Sequence, residues 1–442
     1  MPTAMEVYKL LPKKNCGECK FPTCLAFAMQ LANKKVSLDE CPYVDESVKS
    51  SLSESSAPPI RLVKFGGKSN ELSIGDETEL FRHDKKFYHP TVLSLEIRDD
   101  IPEDAQKNAI EQAKSLEFER VGQKMRLDSL ALRNATGQSA PLESLAKLAM
   151  IGCNLPIIIL GEKAESLGSA ARICRERRPI IGIARKDNMD SMVALAKELN
   201  CVLCIAGETL EDLSKLAVSA KEKGVQDIVL DLTKSNLGQQ LVDLTIVRRL
   251  AIKGNFRPFG YPTIIEAGGG EDAIIAATLG ITKYSSIVLL RSSDPELVYP
   301  LLTLRQNIYT DPQVPLQVEE KIYAVGSPKS ESPLLLTTNF SLTYFTVAGD
   351  IEKSGVPCWL LVANTEGLSV MTSFAAGKFT PEVVSKLIEK LEVKQKCTSG
   401  SIIIPGMVSR MSGKLEELTG MKVVVGPRES EALPRFLKNL PK

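Results

Sequence analysis

Four cysteines near the amino terminus have the type and spacing needed to bind a metal centre. Cys16, Cys19 and Cys24 are bunched on one short loop, and Cys41 follows further along, just before a proline. A glycine and a proline within the loop supply bends that let the first three thiolates converge. Four thiolates hold either zinc or an iron–sulfur cluster, and three on one loop with a distant fourth before proline favour the cluster. We therefore predict a [4Fe–4S] cluster, with zinc or incidental buried thiols as the alternatives.

The chain between Cys24 and Lys35 must return so that Cys41 can close this site. Its apolar spacing predicts a short amphipathic helix. A set of apolar side chains is expected to shield the site, or equally to form the core of a small domain: Leu10, Leu11, Phe21 and Phe27.

Other potential metal ligands are few. The only histidines, His83 and His89, lie in FRHDKKFYHP. A metal pair is one interpretation; we favour a polar lead-in to the next domain, because no cysteine is near. Cys201 and Cys204 form a C-x-x-C motif inside the apolar run CVLCIAG. Residues three apart on a strand point to opposite faces, so these thiols are predicted to be buried core residues.

An alternation of short apolar runs with helical segments begins at residue 91. Strands are predicted at 91–97, 126–133, 156–161, 179–185, 201–207, 227–232, 262–268 and 286–292, and a helical segment such as 103–118 separates each pair. Eight consecutive β-α units are typical of a closed (β/α)8 TIM barrel. The strand ends include a triple glycine but neither a nucleophile nor paired carboxylates. We therefore predict a scaffold in preference to a catalytic barrel.

A second α/β region follows a proline-spaced connector. Strands are predicted at 333–338, 358–363, 401–405 and 422–426, with helices near 340–354, 380–391, 407–419 and 429–439. We expect an open, Rossmann-like parallel sheet that binds its ligand outside the carboxyl ends of the strands. The loops there lack G-x-G-x-x-G but offer amides and hydroxyls, which suits a large flat ligand. Ordinary turn chemistry is the alternative explanation.

Composition excludes some classes of protein. Lysine and arginine number 55 and aspartate and glutamate 54, which gives a net charge of +1. Nucleic-acid binding needs a cationic surplus, so we exclude it. No apolar run approaches the length of a membrane span, and the start has no signal-peptide core. We expect a cytoplasmic protein. Thiols stay reduced in that compartment, so clustered cysteines indicate a metal site in preference to disulfides.

These motifs together resemble one known family. LPKKNCGECKFPTCLAFAMQLA, LDECPYV and the later TTNFSLTYFTV, NTEGLSV, AAGKF, IPG and VVVGPRE are similar to the large (gamma) subunit of the corrinoid iron–sulfur protein. That protein serves the reductive acetyl-CoA pathway and also occurs in acetyl-CoA decarbonylase/synthase complexes. The resemblance covers essentially the whole chain.

The resemblance implies a methyl carrier, a methyltransferase component with no catalytic side chain of its own. It implies a [4Fe–4S] cluster on the four cysteines, a barrel that pairs with the barrel of a small (delta) subunit, and a carboxyl-terminal cobamide domain. Co(I) takes a methyl group from methyltetrahydrofolate or methyltetrahydropterin through a methyltransferase, and methyl-Co(III) gives it to the acetyl-CoA synthase/CO dehydrogenase. The cluster reduces inactive Co(II). The corresponding domains are 1–57 with a Ser-rich linker, a connecting segment 58–90, the barrel 91–320 and the cobamide domain 321–442.

The predicted cobamide site has no imidazole ligand. Many corrinoid carriers bind cobalt through a histidine, and this chain has none beyond His89. We therefore predict a base-off cobamide without a protein nitrogen on cobalt, which eases the reduction of Co(II). The residues expected to seat it are Thr338, Asn339, Phe340, Ser341, Thr343, Thr346, Gly367, Leu368, Ser369, Val370, Met371, Thr372, Ala375, Gly377, Pro405, Gly406, Gly426, Pro427, Arg428 and Glu429.

One cobalt must face three partners in turn. We therefore predict rigid-body movement of the end domains about residues 44–60 and 311–333. Two other hypotheses compete with the carrier. One is a free-standing barrel methyltransferase that binds a pterin at Asp231, Gly268 and Gly269; the other is a structural or electron-transfer module without a corrinoid.

Overall fold

The computed structural model describes residues 4–32, 36, 40–45, 58–121, 123–270 and 272–440. The chain divides into two compact units. Unit 1 consists of Met1–Leu80, Tyr88–Leu116 and Leu127–Arg305, and unit 2 of Phe81–Phe87, Glu117–Arg126 and Gln306–Lys442. Most of the predicted hinge at 44–60 lies outside the described residues, so movement about it stays a prediction, as do the domain boundaries.

Unit 1 begins with two short helices and a two-stranded sheet. Helices α1 (Ala4–Leu10) and α2 (Cys24–Ala32) flank the cysteine loop. Strands β1 (Val63–Phe65) and β2 (Leu72–Ile74) pair antiparallel. Val63, Phe65 and Ile74 are buried in one cluster with side chains from inside the barrel. This small sheet therefore contributes to the barrel core.

The body of unit 1 is a closed parallel barrel, which confirms the predicted (β/α)8 fold. Its strands lie in chain order and the last pairs with the first. They are β3 (Val92–Arg98), β6 (Ser129–Arg133), β7 (Ile157–Leu160), β8 (Ile180–Ala184), β9 (Val202–Ala206), β10 (Ile228–Asp231), β11 (Thr263–Glu266) and β12 (Ile287–Leu290). The helices that follow are α3 (Glu103–Ser115), α4 (Ser139–Gly152), α5 (Ala164–Ile173), α6 (Met189–Leu199), α7 (Leu210–Glu222), α8 (Leu237–Ile252), α9 (Ala273–Thr282) and α10 (Pro295–Ile308).

A buried arginine on α8 anchors the segment that leads into the barrel. Arg248 pairs with Glu77, and both side chains are less than a tenth exposed. The same guanidinium donates to the carbonyl oxygens of Leu80 at 3.0 Å and Glu79 at 2.7 Å, and it lies over the ring of Tyr284. These bonds satisfy a cation that would otherwise be costly to bury.

Between β3 and β6 the structure differs from the predicted helix. The helix predicted to reach Phe118 ends at Ser115, and a hairpin follows, formed by β4 (Glu117–Arg120) and β5 (Gln123–Arg126). The hairpin belongs to unit 2. Its strands carry mostly charged side chains, so they give neither the apolar alternation nor the apolar run by which a strand is recognised.

Unit 2 is built on a five-stranded sheet with the order β13-β15-β14-β16-β17. Strands β14 (Leu334–Thr338), β15 (Cys358–Ala363), β16 (Ser401–Ile404) and β17 (Lys422–Val425) are parallel, as predicted. The sequence prediction missed β13 (Ile322–Val325), an antiparallel edge strand beside β15. The helices are α11 (Ser341–Ser354), α12 (Val370–Ala375), α13 (Pro381–Lys390), α14 (Val393–Lys396), α15 (Ser412–Thr419) and α16 (Leu433–Lys438). None of the helices in the described ranges has the length and apolar character needed to cross a bilayer.

Candidate functional site

The amino-terminal loop brings three of the four predicted cluster ligands into one packed group. Cys19, Cys24 and Cys41 are only 5%, 6% and 4% exposed and share an apolar cluster with Phe27. Cys16 is exposed, and all four thiols are free of disulfides. Three thiols therefore line one small core, with the fourth at its surface.

Asn15 fixes the start of this loop against α2. The side-chain oxygen of Asn15 accepts a hydrogen bond of 2.8 Å from the backbone amide of Cys24, and the backbone amide of Asn15 donates to the Cys24 sulfur at 3.4 Å. Cys24 is the first residue of α2, where free amides favour a negatively charged group. Gly17 has a φ of +77° and accepts a turn hydrogen bond from Lys20, as the predicted bend requires. The loop thus supplies an amide donor and a favourable field to a thiolate.

Cys16 and Cys41 share a neighbour in Tyr43. The hydrogen bond that the Tyr43 hydroxyl donates to Glu18, 2.7 Å long, raises the pKa of Tyr43, and the charge of Glu18 raises it further. Burial and the charges of Cys16 and Cys41 are smaller causes in the same direction. The charges of both thiols therefore act on the same phenol.

The four thiols are a suitable ligand set for an iron–sulfur cluster. Within the ranges that the structure describes, no three His, Cys, Asp or Glu side chains are grouped so as to hold a single metal ion. Zinc requires four ligands at about 2.3 Å from one point when they are sulfurs. In a cubane each thiolate binds a different iron, so the four sulfurs can be further apart.

Three of the four apolar residues predicted to shield the site, or to form the core of a small domain, pack with the cysteines. Leu11 and Phe27 are buried, and Phe21 packs against the same cluster with its ring 5.8 Å from that of Phe27. Leu10 is 42% exposed, so the prediction for it was wrong. On α1 it is Val7 that turns inward, one helical turn before Leu11.

Unit 2 has a cavity of about 390 Å³ at the carboxyl ends of its parallel strands. Half of the predicted cobamide residues line it: Thr343, Thr346, Ser369, Val370, Met371, Pro405, Gly426, Pro427, Arg428 and Glu429. The others lie outside its wall: Thr338, Asn339, Phe340, Ser341, Gly367, Leu368, Thr372, Ala375, Gly377 and Gly406. The cavity lies where an open parallel sheet binds ligands, and its volume is within the range usual for ligand sites.

Three hydroxyls at this edge of the sheet are buried without a hydrogen-bond partner among the described residues. They are Oγ1 of Thr337, Oγ1 of Thr338 and Oγ of Ser341, and Thr337 lines the cavity. A buried hydroxyl that makes no hydrogen bond costs free energy. Hydroxyls that lack a partner beside a cavity can therefore donate hydrogen bonds to a ligand with polar groups at its edge.

Asn339 was predicted to contact the ligand, and in the structure it has a structural role. Its side-chain oxygen accepts hydrogen bonds from the amides of Thr365 at 2.9 Å and Gly367 at 3.1 Å, and its amide group donates to Gln317 and Asn364. It is 2% exposed. Asn339 thus ties the loop after β14 to the loop after β15, and it holds the wall of the cavity without facing it.

Gly406 acts in a similar way between two further loops. Its amide donates to the carbonyl of Pro427 at 3.0 Å, and a Cβ atom at this position would lie 2.5 Å from the carbonyl oxygen of Gly426. The loops after β16 and β17 therefore approach each other more closely than any residue with a side chain allows.

The sequence prediction missed the apolar part of the cavity. Leu342, Met371 and Met407 line it and are 67%, 49% and 37% exposed, and of these only Met371 was predicted. Exposed large apolar side chains at the edge of a cavity are typical of a ligand or partner site. Spacing along α11 was the available signal, because Leu342 lies one turn before the predicted Thr346.

The mouth of the barrel contains a network of two arginines and two glutamates. Arg133 pairs with Glu266 and donates to Glu96 at 2.7 Å, and Arg291 donates to Glu96 at 3.0 Å and to Glu266 at 3.4 Å. Burial raises the pKa of Glu266, against the charge of Arg133. These four charges satisfy one another; the scaffold role and the pterin site at Asp231, Gly268 and Gly269 stay predictions.

The C-x-x-C cysteines are buried, as predicted, and the two histidines make local contacts. The His89 ring hydrogen-bonds the carbonyl oxygen of Gly75 at 2.9 Å, and the His83 ring stacks on Phe81. Cys201 and Cys204 are buried at and within β9, and burial raises the pKa of Cys201 to about 12. None of these four residues takes part in a metal-binding group among the described residues.

Comparison with known proteins identifies the relatives of the chain. The family model described as "CO dehydrogenase/acetyl-CoA synthase delta subunit" matches residues 62–437, and a model for an Fe-S cluster region matches residues 11–43. The "Corrinoid/iron-sulfur protein large subunit" of Moorella thermoacetica is 42% identical over 99% of this chain and 98% of its own length. The "Acetyl-CoA decarbonylase/synthase complex subunit gamma" is 35% identical in Methanothermobacter thermautotrophicus, over 99% of both chains. In Methanocaldococcus jannaschii it is 33% identical, over 99% of this chain and 96% of that one.

Fold and site thus define a barrel protein with a cysteine-rich amino-terminal module and an α/β ligand domain. The chain belongs to the family of corrinoid/iron–sulfur protein large subunits, which includes the gamma subunits of acetyl-CoA decarbonylase/synthase complexes.

Proposed function

We propose that this chain is a methyl-group carrier of the reductive acetyl-CoA pathway. In this role it receives a methyl group from methyltetrahydrofolate or methyltetrahydropterin through a methyltransferase and delivers it to acetyl-CoA synthase. A bound cobamide supplies the cobalt that carries the methyl group, and a [4Fe–4S] cluster supplies the electron that restores oxidised cobalt. The chain itself binds, orients and shields these two groups.

The cavity in unit 2 is the observation that carries the proposal. It lies at the carboxyl ends of parallel strands. In its wall, Thr337 has a buried hydroxyl that makes no hydrogen bond to the described residues. Apolar side chains such as Leu342 and Met407 are exposed in its lining. A corrin has a broad apolar face and amides around its rim. The hydroxyls suit those amides and the apolar lining suits the face.

The cluster would be held by Cys16, Cys19, Cys24 and Cys41. Packing around three of these thiols excludes water, which tunes the potential of a bound cluster. The amide of Asn15 that donates to the Cys24 sulfur stabilises negative charge there.

The cobamide would bind base-off, with no protein nitrogen on cobalt. Residues 306–442 contain no histidine, and the charged residues that line the cavity are Arg428 and Glu429. Electron paramagnetic resonance of the Co(II) form checks this point. We expect no nitrogen superhyperfine splitting, and any such splitting would refute the proposal.

We also propose the setting in which the chain works. Its relatives are named as a large subunit and as the gamma subunit of a complex. Accordingly, we expect a heterodimer with the small (delta) subunit, transient contact with the methyltransferase and with acetyl-CoA synthase/CO dehydrogenase, and a cytoplasmic location.

Metal analysis and the visible spectrum of anaerobically purified heterodimer test the function. We expect iron and cobalt in a ratio of about four to one, with cobamide bands beside the broad cluster absorption. The Cys41→Ser variant should lose the cluster and keep its cobalt. Protein that takes up no cobamide after incubation with it under reducing conditions would refute the carrier function.

A further inference from the structure

Unit 1 contains a cavity of its own, which we call the Arg61 cavity. Its volume is about 280 Å³. Arg61 lines it from the segment before β1, and Lys221 lines it from the last turn of α7. Arg257 and Tyr261 line it from the connection between α8 and β11. Connections that lead from a helix into the next barrel strand lie at the end of the barrel opposite the mouth. The cavity is therefore at that end.

Cations outnumber carboxylates in the lining of the Arg61 cavity. Three cationic side chains line it, and each is half-buried: Arg61, Lys221 and Arg257. Glu222, the one carboxylate among the described lining residues, is exposed. Like charges that share a partly buried cavity repel one another and lose part of their hydration. A bound anion would offset both costs.

Arg61 is the residue that points most directly to a ligand. Its Nε atom is buried and makes no hydrogen bond within the ranges that the structure describes. The guanidinium carbon lies 5.3 Å from the centre of the Tyr261 ring, and Tyr261 is 2% exposed. A buried polar nitrogen without a partner is costly, and a bound ion is one of the usual reasons for such an atom in a native protein.

Backbone contacts join the two segments that carry Arg61 and Arg257. The amide of Arg61 donates to the carbonyl of Gly260 at 3.0 Å, and the Arg257 guanidinium donates to the carbonyl of Pro58 at 3.2 Å. A Cβ atom at Gly260 would lie 2.5 Å from the carbonyl oxygen of Pro59, so only glycine allows this approach. The two arginines are thus held on segments fixed to each other, which lowers the ordering cost of ligand binding.

We propose that the Arg61 cavity binds a phosphate group, either free or on a small metabolite. Guanidinium groups bind phosphate through paired hydrogen bonds, and a lysine adds a compact positive charge. The cavity is slightly smaller than the sites usual for drug-sized ligands, which favours a compact anion. Ala217, Val218 and Pro258 make part of the lining apolar, so a short organic portion can pack beside the phosphate. This site lies in unit 1, whereas the proposed cobamide site lies in unit 2, so the inference goes beyond the carrier function.

Isothermal titration calorimetry of the full-length chain, purified anaerobically with its cofactors, tests this site. The probes are inorganic phosphate, pyrophosphate and adenosine monophosphate, each at constant ionic strength. We expect pyrophosphate to bind with a dissociation constant below about 1 mM. Tighter binding of adenosine monophosphate than of phosphate would identify a phosphorylated metabolite as the ligand, and the reverse would identify the free anion. Both results support the proposal.

Two variants and a matched control locate the binding. Arg61→Leu should weaken pyrophosphate binding by about 10-fold or more, because it removes a charge-assisted pair of hydrogen bonds. Lys221→Met should weaken it in the same direction. Arg175→Leu is the control, since Arg175 is an exposed arginine that does not line the cavity, and it should bind as the wild type does. Thermal melts without ligand check the fold of each variant, and Lys221→Met keeps the test valid if Arg61→Leu is unstable.

Three outcomes would overturn the inference. The first is wild-type protein that shows neither binding heat nor a higher melting temperature with pyrophosphate at about 10 mM. The second is wild-type affinity in both Arg61→Leu and Lys221→Met. The third is binding that appears only in Glu46→Gln or Glu54→Gln, since a carboxylate of this chain would then be the natural occupant. The cobamide spectrum reports on unit 2, so failure of the carrier function is measured separately.

Discussion

Replacement of Thr337 by valine should stabilise the protein and weaken its ligand binding at the same time. The Thr337 side chain is 1% exposed and its hydroxyl has no hydrogen-bond partner among the described residues. Valine has nearly the same shape but no hydroxyl. Removal of an unsatisfied buried hydroxyl relieves a desolvation cost, so we expect a gain of about 1 kcal/mol in the free energy of unfolding of the apoprotein.

The same substitution removes a hydrogen bond that the hydroxyl would make to a cobamide amide. A net hydrogen bond contributes about 0.5–1.5 kcal/mol, so the dissociation constant should rise by about 2- to 12-fold. Calorimetric melting of the apoprotein gives the first quantity, with a rise of roughly 2–4 °C expected for unit 2, and spectroscopic titration with cobamide gives the second.

Thr346→Val is the matched control. The Thr346 hydroxyl also lies at the cavity, but it donates to the carbonyl of Leu342 at 2.7 Å, so its removal should bring no gain in apoprotein stability. A Thr337→Val protein that melts no higher than the wild type and binds cobamide equally well would refute the idea that Thr337 is held for a ligand.

Three further predictions concern unit 1. Cys24→Ser should lose cluster iron while the barrel melts as in the wild type, and iron analysis with calorimetry measures both; unchanged iron would remove Cys24 from the ligand set. Arg248→Met leaves Glu77 buried and unpaired and should lower the free energy of unfolding by about 3–5 kcal/mol, whereas Glu77→Gln combined with Arg248→Met should cost less. Burial raises the pKa of the Glu266 carboxyl above its ordinary 4.5. The protonated carboxyl therefore stabilises the fold below that pH, and this stabilisation is lost as the pH rises through the raised pKa. In melts measured over a series of pH values, Glu266→Gln should remove this loss of stability.

The barrel could be predicted from sequence because each strand is a short, almost wholly apolar run. Strands such as β7 and β9 are buried on both faces, so every side chain in them is apolar. The group of cysteines could be predicted for a similar reason, since three of the four lie within nine residues of the chain. Only the burial of three thiols and the exposure of Cys16 required coordinates.

The features that the sequence prediction missed have no local pattern. The β4–β5 hairpin has only two apolar side chains, Phe118 and Met125, and β13 joins the sheet antiparallel through a partner more than thirty residues away, Val325 opposite Cys358. In the cavity, the sequence prediction placed Asn339 against the ligand because it follows a strand, as site residues do. In the structure its buried side chain hydrogen-bonds the loop after β15 instead, because the amides of that loop lie within reach of it.

The bonds of Asn339 have a thermodynamic consequence for cofactor uptake. Because this one side chain already ties the loops after β14 and β15 together, the cavity wall is in place before a ligand arrives. Cobamide uptake should therefore show the negative heat-capacity change of buried apolar surface without the larger one that accompanies the folding of a segment on binding. An apoprotein built in this way is ready to be reloaded whenever its cofactor is lost.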